Sequence, residues 1–292
     1  MHIHSFHETK LHGTPDFPYI VYHGKMPDFL KSFPLHWHDE FEIIYITSGQ
    51  IKVTIWSDTF TANEGDIILV LPHTLHSLEQ NCPAPAEYFN IMFHDSILHS
   101  SKTDVCYEKY IAPFLSHEKT VSYHEKPGSE LHSLLTPLLL SLIENRRQSY
   151  STHEYLVKSN LFMLIHYLNQ HAYTVKEKEQ TVQLTYGKLR TVFYHIQNSY
   201  SKNITIKEVA SLCGFSESHF MKLFKELTGI SFTTYLVNYR LEIAARQLVD
   251  TNCSVIDIAT NCGFNNHSYF TRAFVKKYGT TPSNYRCNPK KL

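Results

Sequence analysis

The last third of the chain repeats itself at an interval of about fifty residues. The segment Ala210–Phe215 returns as Ala259–Phe264, at an offset of 49 residues. After one inserted residue the offset becomes 50, and it pairs Phe220 with Phe270. A period in this range usually means that one supersecondary unit is used twice. The C-terminal region is therefore expected to contain two similar structural units.

Each copy carries the signals of two helices that are joined by a tight turn. Thr205 and Ser254 open four-residue runs that end in Glu or Asp, the pattern of a capping box at a helix start. Gly214 and Gly263 stand where the first helix must stop and the backbone can need a positive φ. A second amphipathic segment follows each glycine. These signals predict two helix-turn-helix motifs.

The second helix of each predicted motif has an apolar face and a polar, basic face. The motifs cover residues about 205–227 and 254–277. Short polar groups beside a basic group suit the base edges and phosphates of a DNA major groove. The alternative is two hairpins packed for stability alone, which the recurrence of cap, glycine and basic face disfavours. The outward-facing candidates for DNA contact are Ser218, Met221, Lys222, Lys225, His267, Ser268, Thr271 and Arg272.

The segment between the two motifs, Ser231–Asp250, contains no Gly or Pro and is rich in helix formers. We expect one stiff helix there, with a length of roughly 30 Å. Successive major-groove faces on one side of a DNA duplex lie about 34 Å apart. A spacer of this size can therefore present the two motifs to adjacent grooves.

Charge is divided unevenly along the chain, although the formal net charge of the whole is zero. From Gly187 onward there are 14 Lys and Arg residues against 6 Asp and Glu residues. The preceding 186 residues carry 13 basic and 21 acidic residues. A basic C-terminal third fits a polyanionic partner such as double-stranded DNA.

The motif residues of this region also form a recognisable pattern. They are Ala210, Gly214, Phe215, Phe220 and Phe224, then Ile258, Ala259, Gly263, Phe264, Phe270, Arg272 and Phe274, and the tail Gly279–Arg286. With them, residues 187–288 resemble the DNA-binding domain of the AraC/XylS (arabinose-regulator) family of bacterial transcription factors. The resemblance implies a transcriptional regulator that binds two major-groove segments of a promoter and affects RNA polymerase. It also implies base-facing roles for the candidates above other than Lys225.

The N-terminal region alternates between short strand-like runs and turn signals, which predicts an all-β sandwich or barrel. Two amphipathic helices are predicted at 128–147 and 152–169, and the first carries a stripe of leucines. The helices either cover the barrel or form the contact surface (seam) of a two-fold dimer, and we favour the dimer. A charged segment without apolar periodicity predicts a linker at 171–186. The expected domains are thus an all-β sensor at 1–127, a helical connector at 128–170, the linker, and an all-α domain at 187–292.

The tightest chemical constellation in the chain is His36-Trp-His38-x3-Glu42-x6-Gly49. Together with Gly65-x6-Pro72-x3-His76, it resembles the motifs of the cupin fold, a small jelly-roll barrel. Strand alternation places His36 and His38 on one face. In metal-binding cupins such groups converge on one ion, and a His3Glu set of His36, His38, Glu42 and His76 suits Zn, Fe, Mn or Ni.

Three roles for this histidine cluster stay open at this point. It is a catalytic metal site in a cupin enzyme fused to a DNA-binding tail, an allosteric pocket that holds a small ligand, or a polar cluster that satisfies only itself. The family resemblance favours the pocket, with a sugar or sugar-like effector and no catalytic residue or required cofactor. Trp37 and Tyr45 are candidate flat walls for that ligand, with Trp56, Tyr88 and Phe93.

The remaining sequence features concern the cellular compartment. The N-terminus lacks the basic start and apolar run of a secretory signal, and the longest apolar run, Ile67–Leu71, is too short to span a bilayer. The 6 cysteines form no C-x-x-C pair. We therefore expect a cytoplasmic protein without membrane contact, and the leucine stripe described above adds the expectation of a homodimer. An architectural DNA-binding protein is a further alternative, and it would show little preference between promoter and random DNA.

Overall fold

A computed structural model describes residues 7–8, 10–27, 32–82, 84–99, 104–147, 152–175 and 177–287. The ends of the first and last expected domains, residues 1–6 and 288–292, lie outside this set, as does residue 176. The chain divides into two compact units. The first is Glu8–Tyr186, and the second begins at Gly187 and also includes His7. We call them the sensor unit and the helical unit.

The sensor unit is built mainly from antiparallel strands. Its strands are β1 Tyr19–Met26, β2 Ser32–His36, β3 Phe41–Ser48, β4 Gln50–Ile55, β5 Asp58–Asn63, β6 Ile67–Val70, β7 His76–Gln80, β8 Ala86–Phe93, β9 Lys119–Thr120, β10 His124–Glu125 and β11 Tyr173–Thr174. One sheet has the order β1-β8-β3-β6-β10, a second has the order β2-β7-β4-β5, and β11 pairs with β9. The expected β-rich N-terminal domain is confirmed.

The helices of the sensor unit cover one face of the larger sheet. They are α1 Val105–Tyr110, α2 Ala112–Leu115, α3 Glu130–Glu144 and α4 His153–His171, with a short 3-10 turn at Asp95–Ile97. Phe41 and Ile43 of β3 pack in one cluster with Leu135 of α3 and Leu161 of α4. Side chains alternate along a strand, so Glu42 and Ile44 face the other side, toward the second sheet. Both faces of β3 are therefore buried.

The leucine stripe of α3 does not form a free dimer seam. Leu131, Leu135, Leu139 and Leu142 are all buried in the cluster that joins the helices to the sheet. An antiparallel sheet with an apolar outer face must be covered, and α3 and α4 cover it here. Our preference for a seam built on this stripe was wrong, and the alternative role as a cover for the barrel is the one observed.

The segment expected as a linker, 171–186, is largely structured. It contains β11, and helix α5, Glu177–Ser199, begins within it. Lys, Glu and Gln are strong helix formers even where apolar periodicity is absent. Periodicity reports burial, so its absence predicted an exposed segment without excluding a helix.

The helical unit contains the two predicted helix-turn-helix motifs. The helices that follow α5 are α6 Ile206–Cys213, α7 Glu217–Thr228, α8 Phe232–Asp250, α9 Val255–Asn261, α10 His267–Tyr278 and α11 Pro282–Cys287. The pairs α6–α7 and α9–α10 form the motifs, and α8 is the single helix predicted between them. The expected all-α C-terminal domain is confirmed.

The starts and stops of these helices follow from local side-chain chemistry. The Thr205 hydroxyl accepts from the Glu208 amide and the Glu208 carboxylate accepts from the Thr205 amide, so the predicted capping box is present. At the second motif, the Ser254 hydroxyl accepts from the Asp257 amide but donates to the Asp257 carboxylate at 2.6 Å. The shorter Asp side chain is paired with the hydroxyl, so this cap is only half of the expected box.

The described part of the chain contains no helix with both the length and the apolar character needed to cross a membrane.

Candidate functional site

The outward faces of α7 and α10 form the first candidate site, and we call these two helices the recognition helices. Phe220 and Phe224 are fully buried on the inner face of α7, as Phe270 and Phe274 are on that of α10. The opposite face of each helix is therefore turned to solvent. Thr271 is half-buried, and the other predicted DNA-contacting residues are exposed: Ser218, Met221, Lys222, Lys225, His267, Ser268 and Arg272.

The turn of the second motif is held against the end of α5. Gly263 has a φ of 83°, and a Cβ atom there would lie 2.9 Å from the carbonyl oxygens of Tyr200 and Ser201. Only glycine tolerates both the conformation and the close approach. The guanidinium of Arg240 braces the same place, because its Nε donates to the Tyr200 carbonyl at 2.7 Å and its Nη2 to the Lys202 carbonyl at 2.7 Å.

Part of the positive charge of the helical unit is occupied internally. Besides Arg240, Lys277 donates to Glu242 at 2.8 Å and to the Asn238 carbonyl at 3.0 Å. Arg286 donates to the Cys253 carbonyl at 2.5 Å, which ties α11 to the segment before α9. The sequence count of basic residues did not separate these structural cations from those available to DNA.

The histidine cluster is the second candidate site, and it lies where the two sheets of the sensor unit face each other. His36 of β2 pairs directly with His76 of β7 across the smaller sheet, and Glu42 projects from β3 of the larger one. Ring nitrogens of His36, His38 and His76 lie within 4.8 Å of one another. The Glu42 Oε2 atom lies 3.1 Å from His38 Nε2 and 2.9 Å from His76 Nε2. The structure thus brings together all four residues of the predicted set.

Backbone carbonyls fix the orientation of all three rings. His36 Nδ1 lies 2.8 Å from the Pro34 oxygen, His38 Nδ1 lies 3.1 Å from the Glu40 oxygen, and His76 Nδ1 lies 2.9 Å from the Thr74 oxygen. A carbonyl only accepts, so each Nδ1 carries a proton. A neutral ring then offers its Nε2 lone pair to a proton donor or a cation, and a ring that is protonated on both nitrogens donates from Nε2 to an acceptor such as the Glu42 carboxylate.

The electrostatics of the cluster centre on Glu42, which is buried. Burial would raise its pKa, but the charge of His76 and hydrogen bonds from His38 and His76 hold the pKa well below the ordinary value. Burial would lower the pKa of His76, yet Glu42 raises it. Burial, together with the neighbouring histidines, lowers the pKa of His36 to about 3. The site therefore contains an anionic carboxylate beside a neutral His36.

These residues fit a divalent transition-metal ion. Three imidazoles with Nδ1 anchored by carbonyls have the outer hydrogen bonds that usually orient metal-binding histidines. A carboxylate within reach of two of the rings completes a His3Glu donor set that suits Zn, Fe, Mn or Ni. The same contacts also satisfy one another without an ion, because a protonated His76 can face the Glu42 carboxylate.

A cavity of about 240 Å³ opens beside the cluster. Its walls combine carboxylate, amide, imidazole, ammonium and phenol groups with a few apolar side chains. They are Glu8, Lys10, His12, Tyr22, His23, Gly24, Phe33, His36, Glu42, Leu78, Tyr88, Asn90 and Met92. A concave site with a few convergent polar groups is the usual form of a small-molecule site.

Trp37 and Tyr45 are not part of this cavity, which corrects their predicted place in its walls. Trp37 is fully buried, and its ring meets that of His73 edge to face at 6.1 Å. Tyr45 lies on the outer face of β3 and packs against the cluster under α3 and α4. Tyr45 lies one residue from the inward-facing Ile44, and alternation along β3 turns its side chain to the outer face. Trp37 follows the last residue of β2, and its side chain is buried away from the cavity. Of the further aromatic candidates, Tyr88 lines the cavity, whereas Trp56 and Phe93 do not.

Several cavity residues escaped the sequence analysis. Lys10 and His12 precede β1, and the Lys10 ammonium lies 4.6 Å from the centre of the Tyr22 ring. Asn90 of β8 donates to Glu42 Oε1 at 2.5 Å. Alternation along β8 could have identified Asn90, because it shares a face with Tyr88 and Met92. No motif marks the residues that precede β1.

Comparison with known proteins finds one family match within each of the two units. The model of the AraC-like ligand-binding domain matches residues 28–151, and the model of a helix-turn-helix domain matches residues 209–288. Together they cover more than half of the chain. The fold and its two sites define a helix-turn-helix regulator with a ligand-binding domain. The chain belongs to the AraC family of DNA-binding transcriptional regulators.

Three relatives match over most of their own length. The chain is 26% identical over 92% of its length to the helix-turn-helix-type regulator YfiF of Bacillus subtilis, of which it covers 83%. It is 24% identical over 87% of its length to the transcriptional activator RhaR of Mannheimia succiniciproducens, of which it covers 87%. It is 28% identical over 82% of its length to the lactose operon transcription activator of Staphylococcus xylosus, of which it covers 81%.

Proposed function

We propose that the cavity beside His36 and Glu42 binds a sugar or sugar-like metabolite, and that this ligand controls the action of the regulator at a promoter. The observation that carries the proposal is the convergence of Glu8, Glu42 and Asn90 on a cavity with Tyr22 in its wall. Carboxylate and amide groups can form paired hydrogen bonds with neighbouring hydroxyls. An aromatic wall suits the apolar face of a sugar ring.

The size of the cavity favours a small ligand. Its volume of about 240 Å³ lies slightly below the usual range of roughly 300–1,000 Å³ for drug-sized ligands. A single sugar ring is the appropriate scale. The name of the lactose operon activator among the relatives also supports a carbohydrate effector, and two relatives named as activators favour activation as the outcome.

On the DNA side, α7 and α10 enter successive major grooves of promoter DNA. Helix α8 has 19 residues, which corresponds to roughly 28 Å of helix and is compatible with the spacing of adjacent grooves. The exposed residues of α7 and α10 contact bases and phosphates, and the bound regulator contacts RNA polymerase. A ligand changes this activity only if it binds two arrangements of the protein with different affinities. These events take place in the cytoplasm.

The chain acts as a homodimer, with α4 as the contact surface. Tyr155, Phe162 and Met163 lie on one side of α4 and are 78%, 49% and 41% exposed. Exposed apolar side chains grouped on one helix face are typical of an interface. Light scattering during size exclusion should give the mass of a dimer, and Phe162→Glu should give that of a monomer. A wild-type chain that remains monomeric at high concentration would contradict this assignment.

A ligand panel tests the cavity directly. The only tryptophans, Trp37 and Trp56, lie in the sensor unit, so tryptophan fluorescence during heating follows the unfolding of that unit. A sugar at 100 times its Kd should stabilise the unit by about 2.7 kcal/mol and should change binding to genomic fragments recovered with the protein. Asn90→Leu should abolish both responses, whereas Asn81→Leu on the exposed surface should keep them. A panel of monosaccharides and sugar acids without any effect would contradict the proposal.

The convergence of His36, His38 and His76 also supports a second candidate function, a metal-dependent enzyme of the cupin type. Those three residues and Glu42 would hold the ion, which supplies a Lewis acid for oxygen atoms of a bound substrate. Metal analysis separates the two functions. Stoichiometric metal with turnover of a small substrate would favour the enzyme, and metal-free protein that responds to ligand and binds DNA would favour the sensor.

A further inference from the structure

The two recognition helices carry different charges at equivalent positions. The offset of 50 residues pairs Glu217 with His267 and Glu226 with Lys276, and all four side chains are exposed. Helix α7 contains two lysines and two glutamates, so its formal charge is zero. Helix α10 contains three basic residues and no acidic one. The repeat is therefore symmetric in fold and asymmetric in electrostatics.

Local contacts increase this difference. On α7, the Lys222 ammonium lies 3.9 Å from the Glu226 carboxylate one turn later. On α10, the residue one turn after Arg272 is Lys276, so two cations stand side by side. Like charges at this spacing repel each other and gain from a bound anion. Among the described residues no carboxylate forms an ion pair with Lys276, so its charge is available to DNA.

The remaining cation of α10 does not contribute to that surface. Lys277 is only 12% exposed and is held by Glu242. The exposed charge of α10 is thus two cations, Arg272 and Lys276. The corresponding surface of α7 has Lys225 and a Lys222 that shares its charge with Glu226, together with Glu217 at the helix start. Carboxylates at these places repel the phosphates that flank a major groove.

We propose that the two recognition helices contribute unequally to DNA binding. Helix α10 supplies most of the phosphate attraction and anchors the protein. Helix α7 occupies the adjoining groove with little electrostatic gain and distinguishes sequence mainly by apolar contact. Met221, which is 43% exposed at the centre of the α7 surface, suits the methyl group of thymine. This inference rests on the proposed DNA-binding function and assigns a separate contribution to each recognition helix.

The salt dependence of binding measures the electrostatic contribution to DNA affinity. The probe is a fluorescein-labelled duplex of mixed sequence and about 40 base pairs, long enough for two adjacent groove sites. Full-length protein is titrated by anisotropy over a range of salt concentrations. Each phosphate contact contributes about 0.9 to the slope of log K against log salt. Thermal unfolding of every variant verifies that it is folded.

The expected effects differ between the two helices. Lys276→Ala should lower the salt slope by about 0.9, and Lys222→Ala should lower it by less than about half of that. Glu226→Gln should raise affinity by roughly two- to fivefold, because it removes a repulsive charge and releases Lys222. Glu144→Gln, which removes an exposed carboxylate from the sensor unit, is the matched control. Equal losses for Lys222→Ala and Lys276→Ala, or equal effects of Glu226→Gln and Glu144→Gln, would overturn the proposal.

Selection of bound sequences from a random duplex pool tests how sequence recognition is divided between α7 and α10. We expect one strongly selected block and one degenerate block, about one helical turn apart. Arg272→Ala should relax the strong block, and Met221→Ala should affect only the weak one. Two equally selected blocks would overturn the unequal assignment while DNA recognition stands. A pool that is not enriched at all would instead count against sequence-specific DNA binding itself.

Discussion

Two neighbouring lysines of α10 should have separable functions, because only one of them is tied into the fold. Lys277 lies 2.8 Å from Glu242, and the two side chains are 12% and 13% exposed. Burial lowers the pKa of Lys277, although Glu242 opposes that change, so the ion pair is partly desolvated. Lys276 is exposed and points to the surface of the recognition helix. We therefore compare Lys277→Met with Lys276→Met.

The loss in the free energy of unfolding that we expect for Lys277→Met follows from the burial of its ion pair with Glu242. Breaking a fully buried ion pair costs roughly 3–5 kcal/mol, and an exposed pair contributes about 0–1 kcal/mol. The limited exposure of this pair places the expected loss at about 2 kcal/mol. For a unit of about 100 residues this lowers the melting temperature by roughly 8–16 °C. Lys276→Met should change stability by less than about 0.5 kcal/mol but should reduce the salt slope of DNA binding by about 0.9.

Circular dichroism at a helical wavelength follows the helices of both units, and the part of its change that tryptophan fluorescence does not share reports the helical unit, which contains no tryptophan. Tryptophan fluorescence follows the sensor unit in parallel and provides the internal control. A structural role for Lys277 is contradicted if Lys277→Met leaves the melting temperature unchanged and reduces the salt slope as much as Lys276→Met does.

Three further predictions concern both sites. Arg272→Ala should weaken specific binding by roughly 1–3 kcal/mol if the guanidinium contacts a guanine; unchanged affinity in a gel-shift titration would remove Arg272 from the readout. His36 should lower the stability of the sensor unit as the pH drops below the ordinary histidine pKa, because its pKa is lowered to about 3 and the unfolded chain then binds more protons at this position; the raised pKa of His76 acts in the opposite direction. Fluorescence-monitored unfolding should therefore show more acid destabilisation in the wild type than in His36→Gln; equal pH profiles of the two proteins would contradict it. Cobalt(II) added to the purified chain should give absorption bands of a nitrogen- and oxygen-coordinated ion, and His76→Gln should lose them; identical spectra would exclude His76 as a ligand.

The helical unit was the more predictable part of the fold. A repeat, helix caps and glycine stops are local signals, and each corresponds to hydrogen bonds within a few residues. The exposed faces of α7 and α10 followed directly from helical spacing. The roles of Arg240 and Lys277 did not, because their partners are about forty residues away in sequence. Long-range contacts of this kind leave no local pattern.

In the sensor unit, the histidine cluster could be predicted from sequence motifs, but most residues in the walls of the cavity could not. His36, His38, Glu42 and His76 were expected to meet, and they do. Trp37 and Tyr45 were misplaced because the side chain of each is covered by other parts of the sensor unit, so apolar character did not distinguish the cavity side from the opposite side. The prediction of a dimer contact on the leucine stripe of α3 was wrong for a similar reason. An apolar helix face predicts burial, but it does not say whether the partner is the same chain or a second copy.

Hydroxyl-radical footprinting of the full chain on the genomic fragments that it retains shows whether both motifs bind the duplex. Two recognition helices that are separated by α8 should protect two patches on one face of the duplex, about 10 base pairs apart. Arg272→Ala should weaken one patch, and Met221→Ala should weaken the other. Uniform protection along the fragment, or a single patch that neither substitution changes, would contradict a regulator that binds DNA through both motifs.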